Sequence, residues 1–164
     1  MSTYRFIASR HPLKELSNPH VTLLSYQDLK ERKIPVGKVS TTFETSDPHE
    51  KNFLYFDSDN QIHDLEIRPD DPELYARPYT EKQHISQIRW RYNPERAEVL
   101  IDYIREHMKE SGADEVELWS IWTEDTPSAT MRPISLSDLT LEVIDDLFGK
   151  EEIDSPEGLI ITNE

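Results

Sequence analysis

Six histidines and a dense run of carboxylates are the side chains of this sequence best equipped for chemistry. His63 and His84 are the pair that neighbouring strands would bring together, with Asp64 or Glu66 beside them. An imidazole next to a carboxylate serves as a general base or a metal ligand. These residues therefore mark the site of a small hydrolase or metal-assisted enzyme, if there is one. Histidines at the rim of a sheet are also ordinary hydrogen-bonding residues. No two of the six histidines stand at helical or hairpin-loop ligand spacing.

The carboxylates gather at Asp57, Asp59, Asp64, Glu66, Asp70, Asp71 and Glu73, with Arg68 the single base among them. Paired carboxylates cleave glycosidic bonds only in a cleft and at a defined separation, and a sequence gives neither. The same residues suit a binding face for a basic protein, or a plainly solvated surface. Asp57-Ser58-Asp59-Asn60 opens like a calcium loop, but Ile62 stands where the glycine belongs and Arg68 where the bidentate glutamate belongs. Turn chemistry explains the run instead. His49-Glu50 lacks the second histidine of a zinc-protease helix. The four glycines, at 37, 112, 149 and 158, lie too far apart for a phosphate-cradling loop. These checks assign no catalytic residue, metal or cofactor.

The elements that must position these residues follow from periodicity. Tyr4–Ile7 alternates as a first strand, and Val21–Leu24 reads as a second. Ser25 caps a short helix over 26–32, with Asp28 placed to answer it. Residues 36–52 read as a long polar loop, or as one weak strand around Val39-Thr41-Phe43. Phe53–Phe56 and Ile62–Ile67 pair as a hairpin across the acidic turn. His84–Tyr92 alternates, with Ile88, Trp90 and Tyr92 on one face and Arg89 and Arg91 on the other. That separation of aromatics from arginines argues against a stacking platform for single-stranded nucleic acid.

Asn93 and Pro94 then start a helix whose apolar stripe is Ala97, Leu100, Ile101, Ile104 and Met108, ended by Gly112. Val116–Trp122 is a central strand, and Ile134–Leu136 is an edge strand. Thr140 caps a helix stapled by Leu139 and Ile144, and Leu159–Ile161 is the last strand. Irregular alternation of this kind gives an α+β fold, with a mixed or mainly antiparallel sheet and two to three helices mostly on one face. A ferredoxin-like core would use the strand–helix–strand unit at 84–122 as its second half. The 164 residues suit a single globular domain, with an acidic segment at about 149–164.

Composition sets the partners. The chain has no cysteine, and its formal net charge is −15. Residues 1–40 hold seven Lys/Arg against three Asp/Glu, so the acidity belongs to the remainder. Such a field repels nucleic-acid phosphates and anionic membranes and speeds encounter with a basic partner. No apolar run approaches the roughly 20 residues of a membrane span, and the first residues lack a signal-peptide core, so the expected location is cytoplasmic. The expectation is a non-enzymatic binding or regulatory protein, of the inhibitor or immunity kind, with the 57–73 acids facing a basic protein. The alternatives are the enzyme built on His63 and His84, and a structural homo-oligomer touching through Trp119, Trp122 or Leu159–Ile161. The protein itself would be a monomer or a homodimer.

Overall fold

A computed structural model of the chain describes residues 2–36, 40–41, 47–69, 75–123 and 128–164. They fall into two compact units: residues 18–64, and residues 1–17 together with 65–164.

The larger unit is built on a six-stranded sheet. Its strands are β1 (Thr3–Ser9), β5 (Glu66–Pro69), β6 (His84–Arg89), β7 (Glu115–Trp122), β8 (Thr130–Ser135) and β9 (Glu157–Thr162), in the order β5-β6-β1-β7-β9-β8. Every pair is antiparallel except β8 with β9, so the sheet is mixed and the class is α+β. β1 is the hinge of the topology. It runs antiparallel to both β6 and β7, which are therefore parallel to each other with β1 between them. Helix α2 (Pro94–Ser111) makes the crossover, so the 84–122 unit exists as a split strand–helix–strand.

α2 begins and ends where its residues require. The Asn93 side chain accepts from the Arg96 N–H at 2.8 Å, and Gly112 takes the left-handed conformation at φ 70°, where a side chain would be strained. Its stripe meets α3 (Leu141–Phe148) and one face of the sheet in a single core that includes Ile7, Ile88, Leu100, Ile104, Leu118 and Phe148. The staple pair Leu139 and Ile144 is fully buried there. Trp90 and Tyr92 pack onto this core, as the alternation indicates.

The opposite face carries a smaller aromatic core of Tyr4, Phe6, Ala8, Ile85, Trp119 and Ile121, with Tyr79 and Met131 against it. Trp119 lies on Gly158, where an added Cβ would stand 2.7 Å from the indole. Trp119, Leu159 and Ile161 are all buried in these cores, so they cannot serve as the homo-oligomer contact expected of them. Trp122 and Ile160 are half-buried.

The smaller unit holds β2 (Thr22–Leu24), α1 (Tyr26–Arg32), β3 (Ser40–Thr41) and β4 (Phe53–Tyr55). Ser25 and Asp28 form the reciprocal cap their types call for: Ser25 Oγ accepts from the Asp28 N–H at 3.1 Å, and Asp28 accepts from the Ser25 N–H at 2.8 Å. The hairpin expected between 53–56 and 62–67 is not formed. β4 pairs with β2 and β3 instead. Asp59–His63 is a 3₁₀ turn, and the strand that follows, β5, pairs with β6. The Asx-rich run winds into a turn that extends through His63, and the residues after it do form a strand, but that strand finds its partner in β6 while β4 is taken by β2 and β3.

Candidate functional site

The acids singled out by sequence are divided by this fold. Asp57 and Asp59 are exposed in the 18–64 unit. Asp64 is half-buried and meets His20 Nε2 at 2.9 Å. Glu66 belongs to β5 of the larger unit and pairs with Arg68 at 3.2 Å. Asp70, Asp71 and Glu73 lie outside the described residues. His63 ends the 3₁₀ turn of the smaller unit, whereas His84 opens β6 in the larger one, opposite Ser9 of β1. Neither histidine stands in the β5–β6 ladder that was expected to join them. Among the described residues no group of three or more His, Asp or Glu is arranged to hold a metal ion.

A concave site forms elsewhere, between the chain leaving β1 and the C-terminal half of α2. Pro12 has no N–H for a ladder, and beyond Ser9 the chain leaves the sheet. It returns at Leu16, which exchanges two 2.9 Å backbone hydrogen bonds with Ile67. Residues 12–16 thus form one wall. The other wall is α2, where Tyr103, Glu106 and Glu110 share one helical row, with His107 and Ser111 beside it. Two contacts tie the walls: Tyr103 donates its hydroxyl proton to the Lys14 carbonyl at 2.6 Å, and the Lys14 ammonium pairs with Glu110. Burial pushes the Tyr103 phenol up to about 12, so it stays a donor at physiological pH. The groove is open to solvent on one side and has a volume of about 310 Å³, at the small end of the range for ligand pockets.

Its floor is His107, which is 7% exposed. Its Nε2 lies 2.9 Å from Ser9 Oγ, and Ser9 Oγ also accepts the His11 N–H at 3.1 Å. Burial and then the neighbouring His11 push the His107 imidazole below its ordinary value. His84 and Lys14 act in the same direction, and Glu110 opposes them. A serine–histidine pair invites a nucleophilic reading, but Ser9 is fully buried and cannot reach a substrate. The ring's one hydrogen bond among the described residues is to Ser9, so no carboxylate orients it as a catalytic base. The arrangement fixes the β1 exit against α2 and leaves a neutral group under the groove.

The rim is acidic. Glu106 and Glu110 continue a line of exposed carboxylates on α2, Glu95, Glu98 and Asp102, at helical steps of three and four. Arg105 lies 3.8 Å from Asp102, and Lys14 takes Glu110. Glu15 and Glu106 have no ion-pair partner among the described residues. Sequence reasoning missed this site, although part of its signal was present. His107 follows Ile104 by three and Leu100 by seven, which puts an imidazole on an apolar stripe. The acids at 95, 98, 102, 106 and 110 also keep one helical face.

A second charged cluster is closed by its own members. Lys82 is 5% exposed, pairs with Glu115 and lies 3.8 Å from Glu117. Arg10 lies 3.8 Å from Glu115, and Trp119 Nε1 donates to Glu117 at 2.9 Å. Burial pulls the Lys82 ammonium below its ordinary value, against the pull of Glu117.

Among the described residues no helix is long and apolar enough to cross a membrane. Comparison of the chain with protein-family models, with curated proteins and with solved structures finds no match, so its own geometry is the ground for a functional reading.

Proposed function

We propose that this is a non-enzymatic binding protein whose acidic surface receives a basic protein partner. The observation that carries the reading is the line of five exposed carboxylates along α2, in a chain of net charge −15. α2 is the longest described helix. It is held on its inner face by the main core, so its outer face is a rigid, preorganised array. Arg105 and Lys14 offset two of the five charges, and the remainder are left to attract a cationic surface. The same charge opposes nucleic-acid and anionic-membrane partners. A chain without cysteine suits the reducing conditions of the cytoplasm.

Titration with polylysine and with polyglutamate, at low and at high salt, tests the reading. Polylysine is expected to bind at low salt and to dissociate as salt screens the contact, while polyglutamate does not bind. Failure of polylysine to bind at low salt overturns it.

A further inference from the structure

We infer that the groove between residues 12–16 and α2 is the point at which the partner is read, and that it accepts one lysine or arginine side chain from an extended basic segment. This rests on the acidic-surface reading and sharpens it. Three observations specify the occupant. The groove is walled by apolar surface, with Pro12 and Leu16 on one side and the Tyr103 ring on the other. Such walls suit the aliphatic stem of a long basic side chain, which covers apolar surface while its charged end stays at a polar rim. The rim supplies that end with Glu15 and Glu106, neither of which meets a cation at ion-pair distance among the described residues, although the Lys14 ammonium attracts Glu106 from farther off. The Tyr103 ring adds a face on which a cation is attracted.

The size also suits one residue: a volume of about 310 Å³ is enough for a single long side chain. The groove is already formed, because Tyr103 and Lys14 fasten its walls together, so little ordering cost falls on binding. The floor is the neutral His107, held by Ser9, which places no fixed positive charge under the guest. Lys14 already shows the chemistry on a small scale, since its ammonium meets Glu110 at the same rim. A second copy of this chain is a poor occupant, because two bodies of net charge −15 repel one another.

The test uses a short oligolysine peptide and two charge-reversed variants of equal net charge. One is Glu15→Lys with Glu106→Lys, at the groove. The other is Glu95→Lys with Glu98→Lys, at the far end of the same helix. All four residues are exposed, so both variants are expected to fold, and a thermal melt of each against the wild type checks this. At low salt the groove variant is expected to weaken peptide binding by about tenfold or more, and the control by less than about threefold. In the wild-type protein the peptide is expected to shift the amide resonances of Leu16, Tyr103 and His107. Equal weakening by the two variants, or shifts that avoid those three residues, overturns the groove while leaving the acidic-surface reading intact. A wild-type protein that ignores the peptide at low salt sinks both.

Discussion

Two regions of the larger unit handle carboxylates in opposite ways. Around Lys82, the acids Glu115 and Glu117 are taken up by Lys82, Arg10 and the Trp119 N–H, next to the smaller aromatic core. At the groove, Glu15 and Glu106 stand on the rim with no ion-pair partner among the described residues. In the first cluster Lys82 and Glu117 are buried, Glu115 is half-buried and Arg10 is exposed, and each carboxylate there already has a partner, so the cluster has little left to offer a ligand. Charges of the second kind contribute little to folding and are open to a cation from outside. Total charge alone does not distinguish the two kinds; burial and partners do.

The sharpest way to break this contrast is to remove Lys82. Lys82→Met leaves Glu117, itself 8% exposed, without its cation. Breaking a buried pair on one side costs about 3–5 kcal/mol, and urea unfolding is expected to show a loss of that order. A loss under about 1 kcal/mol, the size of an ordinary surface pair, would mean that the cluster is solvated and that the two regions are alike.

Ser9→Ala comes next in size. Ser9 Oγ serves both the His11 N–H and His107 Nε2 in a fully buried position. Leaving a buried polar group unpaired costs about 1–3 kcal/mol. The same unfolding measurement is expected to show it, together with loosening of the β1 exit detectable as faster amide exchange at His11. Unchanged exchange there would separate Ser9 from the groove wall.

The legible part of this molecule is the part governed by neighbours in sequence. Ser25 with Asp28, Asn93 with Pro94, the α2 stripe and the Leu139–Ile144 staple each involve residues within a few positions, and all are found where their types place them. The hairpin failed because strand pairing is settled by the whole sheet. Phe53–Tyr55 has a good strand pattern, but pattern does not choose a partner, and β2 and β3 took it. The groove was illegible for a related reason. Its walls are 87 or more positions apart along the chain, joined by contacts such as Tyr103 to Lys14. His107 looked like one more member of a helix, because the Ser9 that gives it meaning lies 98 positions away.

The state of His107 gives a smaller and pH-dependent contrast. Its folded value lies below the ordinary 6.5, so the unfolded chain takes up a proton first as pH falls. Stability contributed by the neutral ring is therefore complete above about 6.5 and declines as pH drops below it. His107→Gln, which can still hydrogen-bond to Ser9, is expected to flatten that part of the stability–pH curve. A variant curve that superimposes on the wild type between pH 6.5 and the onset of carboxylate titration would mean that the imidazole titrates freely and is not held in the groove floor.

The smallest expected effect discriminates between the two kinds of acid most directly. Glu15→Gln and Glu106→Gln remove exposed charges that meet no described cation at ion-pair distance, Glu106 being attracted to Lys14 only from farther off, so unfolding free energies should stay within about 0.5 kcal/mol of wild type. A slight gain is the expected sign, since each change relieves repulsion in a chain of net charge −15. Glu117→Gln, made in parallel, takes a carboxylate from a buried lysine and should cost clearly more than either. If all three substitutions fall together, the groove acids are structural after all, and an open rim for a basic side chain has no basis. If only Glu117 carries a cost, the groove carboxylates are held in place by the fold while adding little to it, as a surface kept for a ligand requires.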